Sequence, residues 1–293
     1  MSLWNHIEQR LSERLGRNFR IRERSPLGGG SINNAYRIGD GERSFFVKTN
    51  RAQLLSMFEA EATALQALHD TGTIAVPEPL DRGVSGHESY LVLSWLDISG
   101  QPNPQRFGER MAALHRCTAE RYGFAIDNTI GSTPQLNQWS DDWVDFWRKQ
   151  RLGYQLDLAL HNGFGHRLHD LGQQLIEQVP VLFRDYRPEP SLLHGDLWSG
   201  NWGGSAGGDP VIFDPASYYG DREADLAMME LFGSPGRGFF DAYDAAWPVD
   251  PGFATRKTFY NLYHILNHAN LFGAGYARQA ENMIESLLAE VRG

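Results

Sequence analysis

The chain has 293 residues, 41% apolar and 22% charged, which excludes a disordered polypeptide and leaves room for two domains of roughly 150 residues each. A net charge of −9 speaks against broad capture of nucleic-acid phosphates, and no apolar run is long enough to span a membrane. The single cysteine, Cys117, excludes an internal disulfide and a Cys-rich zinc site.

The first segment predicts a helix, with Trp4, Ile7, Leu11 and Leu15 on one face and Gly16 as its stop. It carries charge throughout and lacks the apolar core of a secretory signal, so the expected location is the cytoplasm. Residues 19–49 read as extended, with strands at 35–38 and 44–48 flanking a Gly39-Asp40-Gly41 turn. Residues 52–69 return to a helix whose buried stripe is Leu55, Phe58, Ala62, Leu65 and Leu68. Two short strands follow, at 79–84 and 89–95.

Beyond Trp95 the Pro- and Gly-bearing stretch 99–104 separates this β-rich part from a mostly helical remainder. Helical patterns cover 105–118, 139–160, 164–185, 221–232, 236–246, 253–272 and 276–291, with one β-like run at Pro210–Phe213. Trp139, Trp143 and Trp147 recur every four residues, as on a helix face against a core. The fold class is therefore α+β: a small β-rich lobe over residues 1–96 with one long helix, then a larger helical lobe over 97–293.

Four segments carry chemistry. Residues 191–201 read SLLHGDLWSGN, in which Asp196 can accept the proton of an attacking hydroxyl and Asn201 can offer a neutral oxygen to Mg²⁺. Thirteen residues on, Asp214 ends a short apolar strand, a rigid place for a carboxylate that holds a hard cation. Residues 27–36 read LGGGSINNAY, and Gly28, Gly29, Gly30 and Ser31 can form an anion-binding loop. A plain hairpin turn explains them equally, and neither a dinucleotide fingerprint nor a Walker loop fits. Lys48, at the end of the next strand, is one of only three lysines among 27 basic residues, and Glu61 lies thirteen residues later on the helix. An ammonium there suits α- and β-phosphates, with Glu61 preferred over Glu59 as its partner. Taken singly these are ordinary loops and charges; in this order, across two lobes, they form a protein-kinase-like arrangement.

The string HGDLWSGN, with VIFDPASYYGDREADLAM, GFAIDNTIGSTPQLNQWSDDWVDFW, RLGYQLDLA and YNLYHILNHANLFG, resembles the fructosamine (ketosamine) kinase family, in the aminoglycoside and choline phosphotransferase branch of the kinase-like fold. The resemblance runs from about Leu3 to the carboxyl terminus. It implies an ATP- and Mg²⁺-dependent kinase that phosphorylates O3 of ketosamines, whose unstable product sheds the sugar and frees the amine. It further implies Asp196 as base, Asn201 and Asp214 as metal ligands, Lys48 and Glu61 as the phosphate clamp, and Asp225 as a brace of the catalytic loop. Ser94, Trp95 and Leu96 would form the hinge that receives adenine.

Some relatives carry a cysteine where Ser31 stands, so no thiol switch is expected in that loop, and Cys117 is expected on a helix of the second lobe. Trp198 can stack on the sugar or only anchor the loop, Tyr218 and Tyr219 border the cleft or fill the core, and the resemblance implies that Asn267 and His268 help shape the acceptor pocket. His264 and His268 lack the third ligand a zinc site needs. The expected partner is a small-molecule or protein-bound ketosamine, with no nucleic acid and no membrane. Two alternatives stand beside this reading: a phosphotransferase for aminoglycosides, choline or amino alcohols, and an inactive nucleotide-binding scaffold.

Overall fold

The computed structural model describes residues 2–28 and 32–292; Gly29, Gly30 and Ser31 of the glycine segment lie outside the described residues. Helix α1 (Leu3–Leu15) opens the fold, capped by the Ser2 side chain and stopped by Gly16 in the left-handed region at φ 64°. Strands β1 (Glu23–Leu27), β2 (Asn34–Gly39) and β3 (Ser44–Arg51) follow. They are completed by β4 (Pro79–Ser85) and β5 (Glu88–Ser94) into an antiparallel sheet of order β1-β2-β3-β5-β4. The 40–43 turn between β2 and β3 is fastened by Asp40, which accepts from the amides of Glu42 and Arg43.

Strand alternation sorts the two faces of this sheet. Phe45, Val47, Tyr90 and Val92 pack with Leu3, Ile7 and Leu11 of α1. Leu91 and Leu93, on the opposite face, pack with Phe58, Ala62, Leu65 and Leu68 of helix α2 (Leu55–Asp70) in the main core of the molecule. Lys48 stands directly across from Leu91 and so shares the α2 face. It sits inside the strand, which runs three residues past it to Arg51, and not at the strand's end.

The rest of the chain is mostly helical. Helix α3 (Pro104–His115) is capped by Asn103 and followed by a hairpin of β6 (Asn128–Ile130) and β7 (Thr133–Gln135). Cys117 lies beyond the end of α3, so it is not on a helix as expected. Helix α4 (Trp143–Trp147) starts four residues later than the pattern predicts. Trp143 and Trp147 are buried, but Trp139 precedes the helix, is exposed and stacks on Tyr219. A π-helical stretch, Arg148–Gly153, joins α4 to α5 (Tyr154–His161) and breaks the predicted continuous helix.

Helix α6 (His166–Leu182) leads to four very short strands, β8 (Ser191–Leu192), β9 (Trp202–Gly204), β10 (Pro210–Ile212) and β11 (Tyr219–Gly220). Helices α7 (Glu223–Leu231), α8 (Arg237–Ala246), α9 (Phe253–Phe272) and α10 (Ala274–Arg292) complete the chain. Eleven residues of α9 are buried, which makes it the central pillar. Among the described residues no helix is long and apolar enough to cross a membrane.

Candidate active site

Two loops carry the candidate residues, and four short strands frame them. Strand β8 enters the loop 193–201 and β9 leaves it; β10 enters the loop 213–218 and β11 leaves it. Because β9 pairs with β10 and β11 pairs with β8, the loops are clamped side by side at both ends. Backbone bonds stitch them between the clamps: Leu193 N to Tyr218 O, Ala216 N to His194 O and Phe213 N to Asn201 O. Gly195 makes this approach possible. It adopts φ 84°, and a Cβ there would overlap the Ala216 carbonyl oxygen.

In the first loop the Asn201 amide nitrogen donates to the Asp196 backbone oxygen at 2.8 Å and to Asp196 Oδ2 at 3.1 Å. The amide oxygen of Asn201 is thereby turned away from Asp196. Burial, reinforced by the nearby Asp214 charge and opposed by Asn201, pushes the Asp196 carboxyl up to about 7. The His194 ring donates from Nε2 to Phe213 O at 2.9 Å and accepts at Nδ1 from the Asp196 amide. Asp225, from the first turn of α7, accepts from the amides of His194 at 2.7 Å and Gly195 at 2.8 Å.

In the second loop Asp214 is the non-glycine residue with positive φ, 56°, among the described residues. Aspartate tolerates this region better than most residues. Its side chain is 49% exposed, and one oxygen lies 2.6 Å from Lys48 Nζ. The same ammonium lies 2.7 Å from Glu61 Oε1, while Glu59 is exposed and unpaired with it among the described residues. Burial pulls the Lys48 pKa down, but Glu61 and Asp214 outweigh it and hold the ammonium charged, above its ordinary range.

The other predicted residues fall as follows. Gly28 is exposed, and a Cβ there would meet open space. Ser94 ends β5, and its hydroxyl accepts from the Glu78 amide; beyond it Trp95 and Leu96 leave the sheet, with Arg37 over the Trp95 ring. Trp198 is 39% exposed, and its ring lies so close over Gly200 that a Cβ there would displace it. Tyr218 is buried against Arg151. Asn267 is buried with its amide engaged by Gln155 and the Ile130 carbonyl, so it faces the interior packing of α9. His268 donates to the His264 carbonyl and packs on Phe232, which is bonded through its carbonyl to Ser199 of the first loop. His264 is buried and held neutral, its pKa pushed down to about 3 chiefly by burial.

Sequence reasoning missed several supports. Gln135 donates to the Ala216 carbonyl and Asn128 to the Ser217 carbonyl, so the β6–β7 hairpin grips the second loop. The Gly131 turn between threonine-bearing flanks is the signal that could have shown this hairpin. Arg151 is fully buried with no carboxylate partner among the described residues, stacked on Phe146 and Tyr218 and bonded to Asn137. His115, which gives no separate signal in sequence, bonds to Asp225.

Comparison with known proteins gives one consistent picture. A family model described as fructosamine kinase matches residues 3–290. A probable ketoamine kinase of Synechocystis is 47% identical, with 97% of each chain covered. The chloroplastic protein-ribulosamine 3-kinase of Arabidopsis thaliana is 43% identical over 93% of this chain and 85% of its own. Among solved structures, a protein of Haemophilus somnus provisionally named fructosamine-3-kinase superposes with a TM-score of 0.88 at 31% identity, covering 98% of this chain and all of the other. A thermostable mutant of aminoglycoside phosphotransferase APH(4)-Ia, at 16% identity and a TM-score of 0.62 over 98% of this chain and 99% of its own, shares the protein-kinase-like fold.

Proposed function

The chain belongs to the fructosamine kinase family, and we propose that it is an ATP-dependent kinase that phosphorylates O3 of the sugar in ketosamines such as fructosamines and ribulosamines. One observation carries this reading: Lys48 bridges Glu61 and Asp214 beside a loop on which Asp196 and Asn201 are bonded to each other. The part through about residue 96 then serves the nucleotide, with Gly28, Lys48 and the Ser94–Leu96 backbone around it. The part from about residue 97 serves the acceptor and the chemistry. The expected location is the cytoplasm.

Magnesium fits the donors present. The half-exposed Asp214 carboxylate and the Asn201 amide oxygen are hard ligands, and among the described residues no group of three or more His, Cys, Asp or Glu side chains could hold a metal alone. That is the pattern of an ion shared with substrate phosphates. When bound, magnesium neutralises charge on the transferring phosphate.

The chain's own residues do the rest. Lys48, kept charged and fixed by Glu61, presents an ammonium to the phosphates as they arrive at Asp214. Asp196, whose pKa of about 7 leaves a large ionised fraction near neutrality, takes the proton of the O3 hydroxyl as that oxygen attacks the γ-phosphorus. The bond from γ-phosphorus to the bridging oxygen breaks, and ADP leaves. Positioning and charge account for the acceleration, since the transferred group is intrinsically reactive. Trp198 offers an indole face beside the acceptor. The 3-phosphorylated product is unstable: inorganic phosphate leaves from C3 by β-elimination, water hydrolyses the resulting imine, and the freed amine makes the activity a deglycation.

Phosphate transfer across fructosyl-, ribulosyl- and erythrulosyl-lysine, with the phosphorylated carbon located by NMR, tests the proposal. Phosphate on O3 is expected. Transfer only to aminoglycosides, choline or amino alcohols, or ATP binding with no transfer to any acceptor, would overturn it.

A further inference from the structure

Beneath the first loop lies a buried polar chain that the proposed chemistry does not use. It begins at Arg222, which donates to the Trp247 and Pro248 carbonyls and, at 3.3 Å, to the Tyr243 oxygen. The Tyr243 hydroxyl stands 2.7 Å from His115 Nδ1. His115 Nε2 stands 3.2 Å from Asp225 Oδ2, the same oxygen that accepts the His194 amide. Asp225 Oδ1 accepts the Gly195 amide. His115 is 0% and Asp225 1% exposed, so no solvent substitutes for any of these partners.

The network assigns the direction of each bond. Asp225 is ionised and can only accept, so His115 Nε2 carries a proton and donates it. Nδ1 of the neutral ring then accepts the one hydrogen of Tyr243, whose oxygen accepts from Arg222. Burial pushes the Asp225 carboxyl up, but the His115 ring, with the nearby His194 ring and the Gly195 amide, outweighs it and keeps the group below the usual carboxylate range. A buried carboxylate with a donor removed must lose charge or move. The two amides it holds belong to the residues immediately before Asp196, so any such movement is transmitted to the base itself.

We propose that His115 is a positioning residue for phosphoryl transfer: through Asp225 it fixes the backbone that aims Asp196. This rests on the reading of Asp196 as the base, while the bracing itself concerns the loop alone. The donor to Asp225 is the functional half of the ring, and the Tyr243 side serves to lock the tautomer. Glutamine places its amide nitrogen where imidazole Nε2 stands, whereas asparagine reaches only the position of Nδ1. The two variants therefore separate the two halves.

The test compares His115→Leu, His115→Gln and His115→Asn in the full chain, by steady-state kinetics with ATP and a ketosamine and by amide exchange at His194 and Gly195. His115→Leu is expected to lower kcat by about 10–100-fold, the range for partners that orient an active-site group, with KM for ATP unchanged and faster exchange at both amides. His115→Gln is expected to recover most of kcat and of the protection; His115→Asn is not. A folded His115→Leu with parental kcat and exchange would overturn the proposal, as would a His115→Gln no better than His115→Asn. The second comparison decides the matter if the leucine variant does not fold. Should the parent protein transfer no phosphate, the kinase reading fails, and the exchange data alone still decide whether His115 braces the loop.

Discussion

The two loops at the centre of this molecule hold their aspartates by opposite means. Asp214 is held by charge: a half-exposed carboxylate, in a left-handed backbone conformation, tied to one ammonium that a second carboxylate shares. Asp196 is held by geometry: neighbouring amides are fixed by the buried Asp225, the side chain by Asn201, and the backbone by tight contact across Gly195. An ion cluster can exchange partners when phosphates arrive, because charge is tolerant of small displacements. The proposed base cannot, since a misplacement of about 1 Å costs on the order of a hundredfold in rate. Damage to the first loop should therefore appear in kcat, and damage to the second largely in the handling of nucleotide.

The sharpest way to break the geometric side is Gly195→Ala. The added methyl overlaps the Ala216 carbonyl, and φ 84° is unfavourable for alanine. A kcat loss of about a hundredfold or more is expected, with a stability loss of about 1–3 kcal/mol in chemical denaturation. On the charged side, Lys48→Met leaves Glu61 buried without its cation and should cost about 3–5 kcal/mol. Glu61→Gln keeps the volume and leaves Asp214 as the partner of Lys48, so the melting temperature should fall less; in both variants KM for ATP rises. A Lys48→Met variant with parental KM for ATP would erase the contrast between the loops.

Trp198→Ala sharpens the comparison, since this residue lies on the geometric loop but faces outward. Loss of aromatic contact worth about 0.5–1.5 kcal/mol should raise KM for the ketosamine by roughly two- to tenfold and leave KM for ATP alone. The last prediction concerns His264. Its folded pKa of about 3 lies below the 6.5 of an ordinary histidine, so the unfolded chain binds the extra proton in that window. This group's contribution is complete above pH 6.5 and is lost progressively as the pH falls toward 3. His264→Gln should flatten the pH dependence of unfolding between pH 6.5 and 4; an unchanged slope would assign acid sensitivity to other groups.

Long periodic elements and spaced charges were readable before any coordinates. The stripe Phe58–Leu68 locates α2, and strand alternation sets Lys48 on the face that meets it, which is why a lysine and a glutamate thirteen residues apart become an ion pair. The HGDLWSGN string likewise delivers Asp196 and Asn201 to one loop, and Asp214 arrives beside them. What escaped the sequence is what depends on distant pairing. Strands of two or three residues such as β8 and β11 are too short to show a period, yet they clamp the two aspartate-bearing loops. The tryptophan spacing extends one step too far, because Asp142 caps α4 and leaves Trp139 outside. The turn of π-helix at Arg148–Gly153 leaves no mark in the hydrophobic pattern. His115 is invisible for the same reason: its partner Asp225 lies 110 positions away in the chain.

The central claim is that Asp196 takes a proton from a ketosamine hydroxyl during phosphate transfer from ATP. The direct measurement is ATP-dependent phosphorylation of ribulosyl- or fructosyl-lysine by the parent protein and by Asp196→Asn, each verified as folded. Asparagine preserves the shape and removes the base, so a fall in kcat of about 10²–10⁴-fold with ATP binding retained is predicted. Asp196→Asn turning over at the parental rate would contradict the account.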